Sequence, residues 1–242
     1  MASDQVPVAP VAAATVLLLR EGEFGPEVFL MRRSPTMPFA PGMFVFPGGR
    51  LDRTDEPQAM PAASTRVAAA AQRANLSTAR LVALMNCASR EVLEEAGICL
   101  QPETLTLAGR WVTPEFEPRR YDVHFFATEL QVDQQPFSAS SETDEAAWYR
   151  PADCLAEFAA GRMPMLPPTM AMLAQCAEHQ SAADIVNHLG SGSVRPHLPR
   201  PVSADRSIWC VVDAQTDEVL IARIRRPQLR ETDSAPVPLD LT

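Results

Sequence analysis

Arg90-Glu91-Val92-Leu93-Glu94-Glu95-Ala96-Gly97-Ile98 is the stretch from which the rest of this chain can be read. At 100° per residue, Leu81, Leu84, Met85, Ala88, Val92 and Ala96 fall within an arc of about 120°. That stripe predicts a helix over residues 78–96, with Ser77 as its N-cap and Gly97 as its C-terminal stop. Glu95, Glu91 and Glu94 occupy the next ~100° of the same helix. Three carboxylates therefore flank the buried face instead of lying opposite it. Like charges this close repel by some tenths of a kcal/mol per pair, roughly, even when exposed. A divalent cation with hard oxygen ligands, Mg²⁺ or Mn²⁺, would offset the repulsion.

Upstream, an apolar segment at Met43 to Phe46 runs into Pro47-Gly48-Gly49, where bare backbone can approach a metal or phosphate closely. Val11 to Leu19 and Glu27 to Arg33 read as two strands of a hairpin, and Ser34 to Gly42 as a Pro-containing loop. Ala62 to Ala79 is Ala-rich and helical in pattern. Downstream, strands are predicted near Thr104 to Val112, Tyr121 to Leu130 and Ala146 to Tyr149. A polar loop is predicted over 131–143. Helices are predicted over 151–160, with Pro151 in the first turn, and over 169–178 and 182–189. A hinge is placed at Ser191–Ser193, and a final β-hairpin at 207–213 and 218–224. Residues 1–180 thus form the expected main domain, and 181–242 a C-terminal extension. The last dozen residues are expected to fray.

Composition narrows the function. The 242-residue chain carries 21 basic residues against 30 acidic ones, net −9, and every basic residue is arginine. Without lysine there can be no P-loop, protein-kinase or Schiff-base chemistry. Any phosphate must be met by metal, backbone amide or the planar fork of arginine. The acidic balance argues against nucleic acid as a partner. No apolar run approaches the ~18–20 residues of a membrane span, and Val6 to Leu19 reads as a strand with a short leader. Cys87, Cys99, Cys154, Cys176 and Cys210 contain no CxxC pair, so free thiols in a cytoplasmic protein are expected, without a zinc site or disulfide framework. The four histidines form no HxxxH pair and are expected to be exposed or hydrogen-bonded.

Gly49 followed by Arg90 to Ile98 resembles the Nudix box, Gx5Ex7REUxEExGU, where U is bulky and apolar. The second half matches at every defined position. In the first half Asp55 stands where the pattern has glutamate. The 34 residues between Asp55 and Arg90, against seven in the pattern, make an insert of about 27, centred on 56–79. An insert there resembles the Nudix branch that includes coenzyme A diphosphatases. Val45 to Arg50, Trp111 to Pro114, Pro118 to Asp122 and Leu166 to Thr169 are similar to that branch as well. The resemblance implies an α/β (α+β) fold, a Nudix α/β/α sandwich with a mixed sheet, a helical insert and the C-terminal extension. It implies Mg²⁺ or Mn²⁺ held by Glu91, Glu94 and Glu95 with the Gly49 carbonyl. Arg90, Asp55 and Gly97 take structural roles in the box.

A general base is also required; Glu91 is one candidate, and Glu142 and Glu145, in the loop before the late strand, are others. Arg33, Arg119, Arg120 and Phe46 are the candidate substrate-binding residues, with Arg32 a further cation. Phe39, Phe44, Trp111 and Phe116 are further aromatics, of which Phe44 and Trp111 are expected in the core. The expected activity is hydrolysis of a small-molecule diphosphate, coenzyme A or acyl-coenzyme A foremost. ADP-ribose, a dinucleotide or a nucleotide sugar is the alternative, and a non-catalytic nucleotide-binding domain the alternative of another class. The insert is expected beside the carboxylate helix as a cap or, like the extension, as the contact of a homodimer.

Overall fold

In the computed structural model, Val11–Gly22 form β1, and Ala13 to Leu19 are buried without a break. A strand buried on both faces must be covered on both, and alternate residues serve two cores. Leu17 and Leu19 face one; Ala14, Val16 and Leu18 face the other. The structure describes residues 7–37, 39–57, 64–131, 134–137, 142–192, 194–202 and 208–225, with backbone only at 208, 209 and 220–225.

The hairpin partner is β2 (Gly25–Arg33), followed by the short β3 (Phe44–Val45) and β4 (Gly48–Arg50). A 3-10 turn at Arg53–Asp55 precedes α1 (Thr65–Arg73) and α2 (Thr78–Ala96). Then come β5 (Thr106–Val112), β6 (Tyr121–Glu129) and β7 (Thr143–Tyr149). Three helices follow, α3 (Pro151–Ala159), α4 (Pro167–Cys176) and α5 (Ala182–Ser191). The last elements are β8 (Pro196–Pro201), β9 (Ile208–Asp213) and β10 (Val219–Arg225). One mixed sheet runs β10-β9-β8-β5-β6-β1-β2-β3, with β4 on β1 and β7 on β2. β1 is parallel to β6, and β5 to β8; the other ladders are antiparallel. α1 and α2 cover one face, and α3, α4 and α5 the other.

The capping signals act as the sequence indicates. The Ser77 hydroxyl accepts from the Arg80 N–H, and Gly97 closes α2 with φ 68°, its N–H donating to the Leu93 carbonyl. The Ala-rich segment is helical and buries Val67, Ala71 and Ala74 in the same core as α2. β8 was not foreseen, because Pro196, Pro199 and Pro201 argue against a strand. Its ladder to β5 involves only Arg110 and Trp111, so beyond His197 the strand has no β5 partner among the described residues, and proline is tolerated there. The strand foreseen at Ala146 begins three residues earlier, at Thr143. The last dozen residues, the middle of the hinge and much of the 131–143 loop lie outside the described residues. Among the described residues, no helix is long and apolar enough to cross a membrane.

One histidine departs from expectation. His124 on β6 is 2% exposed, and neither ring nitrogen is in hydrogen-bonding position to a partner among the described residues. Burial pushes it down to about 4, with Arg110 and Arg80 adding to the shift and Asp122 opposing it. The unfolded chain therefore holds a proton on this residue that the folded chain releases. Stability is expected to fall as pH drops from ~6.5 towards ~4, by about 3 kcal/mol through this residue. His124→Leu should flatten that slope while leaving stability at pH 7 equal or higher; urea melts of both proteins across this range would show it, and parallel slopes would refute it.

Candidate active site

The site is built where β4 passes beside the last two turns of α2. β1 holds β4 through the register Ala14↔Gly49 and Thr15↔Gly48. The Thr15 hydroxyl fixes the bend before it, donating to the Pro47 carbonyl at 2.7 Å. Two glycines are needed for close approach. A β-carbon at Gly48 would overlap the β1 backbone, and one at Gly49 would overlap the Glu91 carboxylate. The Gly48 N–H donates to Glu95 Oε2 at 2.8 Å. The Gly49 carbonyl faces the Cys87 thiol, with sulfur to oxygen 3.8 Å. Burial pushes that thiol up to about 12.

Arg90 organises the carboxylates. Its Nε and Nη2 grip Asp55 at 2.9 and 3.0 Å, its Nη2 also reaches the Arg50 carbonyl, and its Nη1 meets Glu91 at 2.8 Å and Glu94 at 3.3 Å. Asp55, with its side chain only 3% exposed, also accepts from the Asp52 N–H, and its carbonyl takes the Asn86 amide. One carboxylate thus ties the 3-10 turn to α2, and the shorter Asp reaches Arg90 in a two-pronged pair.

The placement of the glutamates is electrostatically unfavourable. They stand in the last two turns of α2, against the negative end of the helix dipole, with no basic residue in the last turn. Burial raises the pKa of Glu91, and the charges of Glu94 and Asp55 add to it against Arg90. Burial pushes Glu95 up to about 7; Glu91 and Glu142 add to the shift, while the Gly48 N–H and Arg33 oppose it. Glu94 is largely exposed. Among the described residues no three ligating side chains converge on one point, and Arg90 Nη1 is bonded to both Glu91 and Glu94. As a donor set, crowded hard oxygens with an under-compensated negative charge suit a divalent cation.

The other sequence candidates separate into two groups. Arg33 and Glu142 both lie close enough to Glu95 for their charges to act on it. Arg33 is steadied by its Nε donating to the Phe39 carbonyl at 3.0 Å, and the Ser34 N–H donates to the Glu142 carbonyl at 2.7 Å. Glu145 is not in a loop. It lies on β7, accepts from the Tyr149 hydroxyl at 2.7 Å and pairs with Arg32, which also grips Asp144. Arg120 is a correction as well: it is buried and donates to the carbonyls of Thr113 and Val8, bracing the approach to β1. Arg119 is exposed. Phe46 is buried edge-on to Phe125 in the core, so its ring is not available to a substrate. Phe44 is buried edge-on to Tyr149, and buried Trp111 stacks on His197.

Gly49→Ala tests how tight the contact is. The added methyl would displace the Glu91 carboxylate, and misplacement of a catalytic group by about 1 Å costs about 10²-fold in rate. That loss is the expected result in steady-state assays of diphosphate cleavage. A variant as active as the parent would show that Glu91 need not touch the loop.

Residues 83–167 match the family model for the NUDIX domain. A Caenorhabditis elegans protein described as "Putative nudix hydrolase 7" is 26% identical over 195 residues, which is 72% of this chain and 63% of that protein. The chain thus spans less than two thirds of the length of that relative. The crystal structure of a NUDIX hydrolase from Alicyclobacillus acidocaldarius superposes with a TM-score of 0.62 at 26% identity, covering 76% of this chain and 99% of that one. The mixed α/β fold is therefore similar to that of the Alicyclobacillus NUDIX hydrolase.

Proposed function

We propose that the protein is a metal-dependent Nudix diphosphohydrolase, cleaving coenzyme A or an acyl-coenzyme A into 3′,5′-ADP and (acyl-)4′-phosphopantetheine. The observation that carries the hydrolase reading is the pair Glu91 and Glu95, partly desolvated carboxylates held against the Gly48-Gly49 backbone at the negative end of a helix. That arrangement has a cost to folding, and it suits a site that a cation completes. Coenzyme A as the substrate rests on the motifs around the box, from Val45 to Arg50 and from Trp111 to Pro114.

Glu91, Glu94 and Glu95 would hold Mg²⁺ or Mn²⁺, with the Gly49 carbonyl in support. The bound cation would neutralise diphosphate charge and acidify the attacking water. Arg33, its guanidinium fixed by the Phe39 carbonyl, is suited to grip a phosphate oxygen. Arg119 is exposed and remains a second candidate for the substrate. Glu142, beside Glu95, is suited to take the proton as water oxygen bonds to phosphorus and the bridging P–O bond breaks. Five free cysteines agree with a cytoplasmic, reducing location.

The test is product identity. Full-length protein with Mg²⁺ or Mn²⁺ would be incubated in turn with coenzyme A, acetyl-coenzyme A, ADP-ribose, a dinucleotide and a nucleotide sugar. The two coenzyme A fragments are the expected products. Rapid ADP-ribose cleavage with coenzyme A untouched would move the substrate assignment and leave the hydrolase reading standing.

A further inference from the structure

β8 pairs with β5 only at Arg110 and Trp111, so the start of β5 lacks a strand neighbour on that side among the described residues. A cavity of about 330 Å³ lies there, between α1, the N-terminal half of α2 and the end of α5. Its volume is at the small end of the ~300–1,000 Å³ typical of small-molecule sites. Leu81, Met85, Leu107 and Phe126 lie beneath it, themselves buried, and Ala69, Ala70 and Val186 give it its accessible apolar wall. Arg66 and Arg73, both on α1, line it as well. Arg66 Nη1 donates to the Thr106 hydroxyl at 3.2 Å; Arg73 donates to the carbonyls of Gly192 at 2.7 Å and Leu107 at 3.5 Å.

Two features mark this cavity as more than a packing gap. Neither arginine pairs with a carboxylate among the described residues, whereas Arg20, Arg32, Arg90, Arg110, Arg195 and others do. In a chain of net charge −9, two cations without acid partners on one cavity leave a local positive field beside its apolar wall. The cavity is also separate from the carboxylates. Met85, the lining residue of α2 nearest to them, is six positions before Glu91, or about 9 Å along the helix at 1.5 Å per residue.

We propose that this cavity is a second binding site, for an aliphatic chain ending in a carboxylate or phosphate. The chain would lie along Ala69, Ala70 and Val186, and the anionic head would be met by the guanidinium forks of Arg66 and Arg73. Binding there would join α1 to the β5 edge without involving the diphosphate site.

Calorimetric titration of the full-length protein with decanoate, decyl phosphate and decanol tests this. Saturable one-site binding of decanoate, decyl phosphate or both is expected, with decanol at least about tenfold weaker, which corresponds to ~1.4 kcal/mol. The two anionic probes separate a carboxylate head from a phosphate head. Arg66→Gln should weaken the anion about tenfold, since a hydrogen bond to a charged group is worth ~1.5–3 kcal/mol. Ala70→Leu, filling the cavity from α1, should abolish it in a protein whose melt shows it folded. Glu95→Gln should bind as the parent does, which separates this site from the proposed hydrolase. Absence of saturable binding by both anions, decanol binding as well as they do, or affinity unchanged in both Arg66→Gln and Ala70→Leu would overturn the proposal.

Discussion

Glu95→Gln is expected to reduce metal-dependent diphosphate cleavage by at least about 10³-fold while leaving the protein folded and no less stable. The amide oxygen of glutamine can still accept from the Gly48 N–H, which donates at 2.8 Å in the parent, so the loop keeps its anchor. Only the charge is lost. That charge is costly to the fold: burial pushes the carboxyl up to about 7, and Glu91 and Glu142 repel it. Its removal should therefore raise the melting temperature slightly as it removes turnover, the trade expected where an active site holds strain. Paired measurements of kcat and thermal melting on parent and variant check this. A variant with an unchanged rate would show that Glu95 holds no metal. A variant that loses rate by unfolding would show that its charge supports the loop.

The largest effect on stability is expected at Arg90. Asp55 is 3% exposed and its carboxylate is gripped by Arg90 Nε and Nη2. Arg90→Met would leave that charge buried without its cation, a class of change that costs about 3–5 kcal/mol. It would also release Glu91 and Glu94 from the Nη1 that holds them. Replacing both partners, Asp55→Leu with Arg90→Met, should cost less than Arg90→Met alone, because nothing buried is left unpaired. Urea unfolding of the two single variants and the double variant would measure the coupling. A loss below about 1 kcal/mol for Arg90→Met would show the pair to be no more than a surface ion pair.

Local signals were legible in the sequence, and long-range ones were not. Ser77, the apolar stripe and Gly97 are contained within 21 residues, and they fix α2 at the bounds the sequence indicates. The box pattern gave Asp55 and Arg90 structural roles, but their pairing across the residues of α1 shows only in space. The direction of a long side chain has no such signal. Arg120 sits at the edge of a strand like any exposed cation, yet Val8, 112 residues away in sequence, and Thr113, seven away across the loop, turn it inward. Glu145 looked like a loop acid because its strand begins with Thr143-Asp144-Glu145, three polar residues of which Thr143 and Glu145 pair with Arg33 and Arg32 of β2. His124 gave no sign of its burial, since a polar residue in the middle of Tyr121 to Leu130 fits an alternating strand equally well.

Binding of Mn²⁺ by the apo protein, followed by electron paramagnetic resonance of the free ion, tests the site most directly because it needs no substrate and no turnover. The parent should take up Mn²⁺ saturably, with Mg²⁺ competing, and Glu91→Gln and Glu95→Gln should each weaken uptake by at least about tenfold, or ~1.4 kcal/mol. Equal uptake by the parent and both folded variants would mean that these glutamates, for all their crowding at the end of α2, are not where the metal sits.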